Sequence, residues 1–586
     1  MSIPQSLPAA QQPAADNRFA PHQPPIPPCF TAQPGEWKHC LAAMLLLWLA
    51  YLLIENALWH PGPDTAYYIS VSRSLAQHGT FTFNGLPVGK IPPLWPLLLA
   101  AAMKLSASFR FLNLIPAAFL VGASGFWYYV LRRFASPGKS LGAVLLSGLL
   151  FYWYSAAVDL RSEGLFCFLL AAALLLAMQF AEGRQQAWRI AIVAFLCALM
   201  VCVRWAGLTA VFPVAAAMAA GQLKPRLNRQ CIGVAIVILS TIGSFLILRH
   251  TLAALPGMSG RPMRQADPDF GAGEDMDGAP IVSMQAVIDP KGLRDMGGRI
   301  AASGKWITSL LWMPMFLGVT SRSVGILTNT VGWLLILLFG CCLYHHAQRR
   351  QWLWVGVLLY CVAIVARWAV VNPRYLVPIA PSALLGAWLG IDAVAARFRR
   401  LTKPCKIAAV LFVASIALCN SALWAIDLYI THSPDFYSKY LAGETEQLIA
   451  AADYLNSRNV QDGQISVSPY YLNLGRQRPN GQGWRCMHLL TGRGIHVISR
   501  KMCTGEPNKA LLNWAPTKGI KYYLYRPPVS PWRAHHFRVA WLQRLLTGQK
   551  DIPENPSWVL YELTRHNATL IELPKVPKYP RRVPGM

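Results

Sequence analysis

The side chains best placed to do chemistry in this 586-residue chain are a few charged groups set at the ends of long apolar runs. Asp64 stands in the stretch Pro61, Gly62, Pro63, Asp64, Thr65, Ala66, Tyr67, Tyr68, just after the first such run and ahead of a helix-like segment that ends at His78 and Gly79. A carboxylate there, in a loop folding back onto a membrane, can meet both a lipid-linked molecule and water-soluble groups. That position suits a general base in a transfer reaction. The same residue can instead cap a helix beginning at Thr65, and the two roles are compatible. Arg204 and Arg374 lie at the ends of two further runs. A cation is costly there without a partner, so a phosphate gripped by the guanidinium fork fits either one. Snorkelling to lipid headgroups is the alternative. Lys90, just before Pro92 and Pro93, is a third candidate cation. Asp267, Asp269, Glu274, Asp275 and Asp277 crowd one loop, yet Gly271 occupies a ligand position of the calcium-loop pattern. A divalent metal therefore has no clear ligand motif, and a solvated acidic loop accounts for the cluster. His345 and His346 lie away from these groups and receive no role.

The elements that must position these residues are membrane helices. The chain is 54% hydrophobic and 14% charged, with a mean hydropathy of +0.33, where a soluble domain carries about 25% charged residues. An ordinary soluble enzyme is excluded. The 54 basic against 26 acidic residues, a net charge of +28, would suggest nucleic acid in a soluble protein. Here the basic residues sit in short clusters between apolar runs, as at the cytoplasmic ends of membrane helices, so no nucleic-acid partner is expected. Most of the 13 cysteines lie inside apolar runs and read as packing residues.

Uncharged or nearly uncharged runs at 41–59, 111–131, 141–158, 164–181, 190–203, 205–223, 230–248, 323–344, 351–371, 375–391 and 407–426 predict about eleven transmembrane helices. Residues 1–37, rich in Pro, Gln and Ala, read as a disordered cytoplasmic tail. Fifteen basic residues fall in the loops of one side: Arg132, Arg133, Lys139, Arg184, Arg189, Lys224, Arg226, Arg229, Arg349, Arg350, Arg397, Arg399, Arg400, Lys403 and Lys406. The short loops opposite hold Arg161, Arg204, Arg367 and Arg374. This asymmetry predicts a cytoplasmic N-terminus. The loops at about 60–110 and 249–322, and everything from 427 to 586, then lie outside. Proline-containing apolar stretches at 91–103 and 306–317 are too short to cross and predict interfacial helices. The segment 427–586 changes character: a helix-like run at 444–458 precedes short β-rich strings at 464–468, 521–525 and 558–563, predicting a small external α/β domain. Its 21 basic and 11 acidic residues suit contact with anionic lipid or an acidic substrate, or serve solubility alone.

The first external loop resembles that of the GT-C glycosyltransferases, within which it is most similar to the protein O-mannosyltransferase and lipid A aminoarabinose transferase families. The matching positions are Asp64, Tyr67, Leu75, Gly79 and the Pro92, Pro93, Leu94, Trp95, Pro96 segment. The similarity continues through Arg161-Ser162-Glu163-Gly164-Leu165-Phe166, Val203-Arg204-Trp205-Ala206-Gly207 and Asn372-Pro373-Arg374-Tyr375-Leu376-Val377-Pro378, covering residues 38 to about 390 of a membrane domain at 38–426. The resemblance implies an inverting transfer of a sugar from a polyprenyl-phosphate donor to a lipid, glycan or protein acceptor at the outer face of the cytoplasmic (inner) membrane. It implies Asp64 as the base, Glu163 as a second acid with Asp159 as the fallback, and Tyr67, Lys90, Arg204, Arg374 and Tyr375 as substrate-binding residues. On the residues alone, Glu163 can simply cap the following helix and Asp159 can pair with Arg161.

A transporter or lipid flippase would also present many helices, but such proteins show paired halves and ionisable groups near mid-membrane. No internal repeat is evident here, and the polar residues cluster at the external ends. A non-catalytic scaffold is the third reading, and it should tolerate loss of Asp64. Cys486 and Cys503, the two cysteines of the external segment, lie 17 positions apart in a compartment that permits disulfides. We predict a bridge between them, worth about 3 kcal/mol in the chain-entropy model. Alkylation of both thiols under non-reducing, denaturing conditions would rule it out.

Overall fold

The computed structural model describes residues 35–60, 62–88, 91–182, 186–219, 227–253, 303–312, 322–348, 351–367, 373–437, 444–467, 470–473, 476–479, 481–497, 507–525, 558–564, 567–573 and 579–586. In lipid every backbone N–H and C=O must find a partner within the protein, and a helix achieves this inside one segment. Seven helices among the described residues are long and apolar enough to cross a bilayer: Glu36–Ile54, Phe109–Leu131, Glu163–Ala181, Arg229–Leu252, Thr328–Ala347, Arg374–Arg397 and Thr402–Thr431. Pro137–Leu149 and Phe151–Val158, bent by 61° at their junction, make an eighth if they form one span. Ala187–Val203, Trp205–Ala219 and Leu353–Ile364 are apolar but shorter, below the ~20 residues of a perpendicular crossing.

Each apolar run of the sequence thus coincides with a helix or a helix pair. By length and composition, seven or eight of the described helices qualify as spans on their own. The first helix begins at Glu36, so residues 36 and 37 belong to it and not to a tail. The two proline-containing stretches coincide with short helices, Leu94–Leu105 and Ser303–Trp312.

Phe109–Leu131 and Glu163–Ala181 form the middle of the bundle and are its most buried long helices. They approach closely because Gly164 has no side chain: a Cβ there would stand 2.8 Å from the Pro116 carbonyl oxygen. At the end of the bundle predicted to be cytoplasmic, acids and bases pair across helices. Arg132 meets Glu36 at 2.7 Å, Arg133 meets Glu182, and Lys139 meets Asp392.

Between the first two long helices, the helix Pro63–His78 leads into a hairpin of β1 (Thr82–Phe83) and β2 (Leu86–Pro87). Its turn is Asn84-Gly85 with φ of 53° and 77°, the left-handed pair that a two-residue hairpin turn requires.

After the helix Glu444–Ser457 come β3 (Ile465–Val467), a separate antiparallel hairpin of β4 (Tyr470–Asn473) and β5 (Arg476–Pro479), the helix Gly481–Thr491, and β6 (Ile495–Val497). The helix Lys509–Trp514 precedes β7 (Tyr522–Tyr525), β8 (Val559–Leu563) and β9 (Ala568–Ile571). Five of these strands form one sheet in the order β6-β3-β7-β8-β9. The β6-β3-β7 part is parallel and the β7-β8-β9 part antiparallel. Strands β3 and β7 are buried at every position, as parallel strands covered on both faces are.

This sheet is not a separate body hung from the bundle. One apolar core runs without a break from Leu47 and Trp127 in the bundle to Ile465, Met487 and Leu560 in the sheet region. The Pro63–His78 helix is the joint. Arg73, almost fully buried, donates to the carbonyls of Leu489 at 3.0 Å, Pro584 at 2.8 Å and His488 at 3.3 Å. Three carbonyl acceptors satisfy the guanidinium that burial would otherwise make costly. Asn84 exchanges two hydrogen bonds with the backbone of Ile495, at 2.8 and 2.7 Å. The C-terminal residues add backbone bonds from Phe109 to Arg581 and from Val583 to Ala107.

His488 sits at the centre of this joint. It stacks edge-on against Phe83, accepts from the Asn84 N–H through Nε2, and donates through Nδ1 to the Arg493 carbonyl. Both bonds require a neutral ring with the proton on Nδ1. Burial, helped by the Arg73 cation, pushes His488 down from 6.5 to about 4. Its contribution to stability is therefore complete above 6.5 and is lost as pH falls towards about 4, where the unfolded chain binds a proton that the folded one refuses. We predict that the thermal midpoint of the purified protein in detergent drops across this window and drops less steeply in His488→Asn. His60, pushed down to about 4 by burial and Arg161, supplies the remaining slope. Equal slopes in wild type and variant would remove His488 from this role.

Candidate active site

Asp64 reaches the site because the chain before it is tightly held. The helix starts at Pro63 with Gly62 as its N-cap, and proline's fixed φ suits a first helical position. The Thr65 hydroxyl donates to the Gly62 carbonyl at 2.8 Å and accepts from the Trp59 indole N–H at 3.3 Å. Tyr437 donates to the Trp59 carbonyl at 3.1 Å. Asp64 does not cap this helix, since Gly62 holds the cap position and no side chain bonds there. Its carboxylate turns instead to two guanidiniums. Oδ2 accepts from Arg374 at 2.6 Å and Oδ1 from Arg485 at 3.4 Å. Burial alone would raise the Asp64 carboxyl. The cations of Arg374, Arg485 and Arg161 outweigh it and hold the group well below the usual carboxylate range.

Glu163, the first residue of its helix, makes no cap hydrogen bond either. It pairs with Arg204 at 2.6 Å, and both side chains are largely buried. Arg204 therefore does not snorkel to headgroups. Its Nη1 also lies 3.4 Å from the Ser162 hydroxyl, which is 3.3 Å from the Tyr68 hydroxyl. Burial pushes Tyr68 up to about 12, so it keeps its proton near neutrality. Asp159, buried, pairs with Arg161 at 2.6 Å, the arrangement that the residues alone allowed.

Tyr375 ties the two pairs together. The guanidiniums of Arg204 and Arg374 lie 5.6 and 5.4 Å from its ring centre, within cation–π range. The Tyr360 hydroxyl holds the Tyr375 carbonyl at 2.9 Å. Tyr67 faces the opposite way: Arg485 lies 5.1 Å from its ring centre, and its ring packs on Phe83 at 4.5 Å. Trp95 fixes the neighbouring Leu94–Leu105 helix through a 3.1 Å bond from its indole N–H to the Leu160 carbonyl.

The residues singled out from the sequence thus converge. Asp64, Tyr67, Asp159, Glu163, Arg204, Arg374 and Tyr375 form one cluster of linked contacts, although each arginine is seen on a carboxylate. Lys90, Cys503 and the acidic stretch 267–277 lie outside the described residues, so Cys486, buried in the Gly481–Thr491 helix, cannot be matched to a partner there. Among the described residues no group of three or more His, Cys, Asp or Glu gathers as metal ligands.

Two members were not anticipated. Arg161 lies inside a quoted motif and was given no role of its own in the site. Arg485 lies in the terminal segment among 21 basic residues, and nothing in its spacing distinguishes it. Four guanidiniums, from Arg161, Arg204, Arg374 and Arg485, face three carboxylates, from Asp64, Asp159 and Glu163. Among the described residues the cluster therefore carries an excess positive charge, held where the dielectric is low and an anion is attracted strongly.

No protein-family model matches the chain, and no curated protein matches it by sequence. Its fold is similar to that of the archaeal oligosaccharyltransferase AglB from Archaeoglobus fulgidus, solved with an inhibitory peptide and a dolichol-phosphate. The TM-score is 0.50 at 13% identity, over 84% of this chain and 70% of that one. ArnT from Cupriavidus metallidurans, solved with undecaprenyl phosphate, aligns at a TM-score of 0.43 and 13% identity, over 90% and 98% of the two chains. The likeness to the oligosaccharyltransferase is one of fold, and it agrees with the many-helix membrane architecture that the first-loop resemblance implies.

Proposed function

We propose that this protein is a membrane glycosyltransferase that moves a sugar from a polyprenyl-phosphate donor to an acceptor at the outer face of the cytoplasmic membrane, with inversion. The observation that carries this reading is the net positive, half-buried cluster in which Asp64 sits between guanidiniums at one end of a helical bundle. The dolichol-phosphate bound to the oligosaccharyltransferase of similar fold supports a lipid phosphate as the anion.

In this mechanism Arg374 and Arg204 grip the donor phosphate, with Tyr375 beneath both guanidiniums limiting where they can turn. Glu163 and Asp159 keep Arg204 and Arg161 in place. The acceptor hydroxyl or amine attacks the anomeric carbon from the face opposite the phosphate. A new bond to the sugar forms as the bond to the phosphate oxygen breaks. The acceptor's proton passes to Asp64, and the electron pair of the broken bond leaves on the polyprenyl phosphate, whose charge the arginines stabilise. Charges gathered at one end of the bundle suit chemistry at a surface better than carriage through mid-membrane.

The reading also takes the full set of eleven spans, the short helices crossing with the help of their neighbours, so that the N-terminus is cytoplasmic and 427–586 forms an external α/β domain. Single cysteines at exposed His78 and at Lys403, in a background without exposed native cysteines, test this arrangement. An impermeant maleimide should label position 78 and spare 403 in intact cells with a permeable wall, and the reverse pattern would refute the orientation.

Mass spectrometry of envelope glycolipids and glycans with and without the gene names the sugar, and single-turnover transfer from the labelled donor then tests the mechanism. Asp64→Asn keeps the shape but not the base, so the rate should fall by at least about a hundredfold. Because Asp64 also balances two cations, thermal midpoints are measured alongside and rates compared where both proteins are folded. Arg374→Lys keeps the charge but loses the planar fork, and should raise the donor KM as well as lower turnover. Near-normal transfer by folded Asp64→Asn would sink the base mechanism.

A further inference from the structure

Asp64 as it stands is a poor base, because two guanidiniums already occupy its oxygens. Each oxygen keeps a second lone pair, but two cations beside the carboxylate weaken it as a base, so withdrawal of one of them readies it for proton transfer. The two arginines differ in how easily they can leave. Arg374 lies on the turn Pro373–Ile379 at the outer end of an apolar helix, with its side chain 23% exposed, and shares the Tyr375 ring with Arg204. Arg485 is 3% exposed, stacks on Tyr67, and projects from a helix packed against the one that carries Asp64. An incoming phosphodiester anion competes with a carboxylate for the exposed guanidinium and cannot readily extract the buried one, and the hold tightens as the leaving phosphate gains its second charge.

We propose that the two arginines divide the work: Arg374 transfers from Asp64 to the donor phosphate, while Arg485 stays behind as a positioning residue that keeps the carboxylate charged and aimed at the acceptor. The external segment thus completes the site, and donor binding is what frees the base. This inference rests on the transfer reading above.

Three cations face Asp64: Arg374 from the turn, Arg485 from the Gly481–Thr491 helix, and Arg161 from the turn before Glu163. Tyr68, one helical turn on, and Glu163, which acts on Arg374, are the other titratable groups around it among the described residues. Burial works to raise the Asp64 carboxyl and the cations to lower it. With Arg374 on the phosphate, removal of Arg485 leaves burial less opposed. The acid limb of the rate profile must then move to higher pH.

The test is the pH profile of single-turnover transfer by the full-length protein, with Asp64→Asn as control. In Arg485→Gln, donor KM should stay within about twofold of wild type, while the rate falls at least about threefold further than wild type between about pH 7 and about pH 5. Arg485→Lys should restore the wild-type profile. Parallel profiles with an inactive Asp64→Asn would overturn the division of labour while leaving the transfer reading intact. A raised donor KM in Arg485→Gln, as for Arg374→Lys, would overturn it too, by making Arg485 a phosphate ligand. An active Asp64→Asn removes both readings together. Should Arg485→Gln fail to fold, Tyr67→Leu loosens Arg485 while keeping every charge. It should show the same excess loss at low pH, and a wild-type profile there would count against the proposal.

Discussion

Everything around the site follows from the cost of keeping charge out of water. Asp64 is half-buried at the end of a helical bundle, and Arg374 and Arg485 on its two oxygens make that position tolerable. One carboxylate thereby binds together the loop between the first two long helices, the turn before a late apolar helix, and a helix of the terminal region. Remove the anion and two guanidiniums lose their counter-charge in a place where solvation is poor.

The surrounding elements serve this arrangement. Gly62, Pro63 and Thr65 set the helix start so that the Asp64 carboxylate turns away from its own backbone. Gly164 lets two central helices close up, and Glu163, the residue before it, pairs with Arg204 at the end of the Ala187–Val203 helix. Arg73 and His488 lock the same short helix to the terminal segment from its other side, so Arg485 arrives at Asp64 on a supported element. The apolar core, continuous from bundle to sheet, makes the terminal segment part of the site's framework.

The charge balance of the cluster has a functional reading. With more guanidiniums than carboxylates among the described residues, the site is an anion trap already filled with internal partners. Each internal pair is a place that a substrate phosphate can contest, and the energy of the trade depends on how well the displaced carboxylate is left supported. On the proposed reading, a site built this way holds its base in check until an anion arrives, which ties donor binding to readiness for proton transfer.

Much of this was legible in the sequence because it depends on neighbours a few residues apart. Apolar runs become helices wherever they occur, basic clusters mark one set of helix ends, and Asn84-Gly85 makes a turn whatever lies beyond it. Those patterns located the helices of the bundle, the two short proline-containing helices and three strands of the terminal region, β3, β7 and β8, but not β4, β5, β6 and β9; the residue types at the helix ends pointed to Asp64, Arg204 and Arg374, and the family resemblance to Glu163. What they could not carry was the pairing. Arg374 is 310 positions from Asp64 and Arg485 is 421 positions away, and no periodicity extends across such distances. Whether Asp64 caps a helix, whether Arg204 reaches headgroups and which of 21 basic residues in the terminal segment joins the site were decided only when packing set the depth and direction of each side chain.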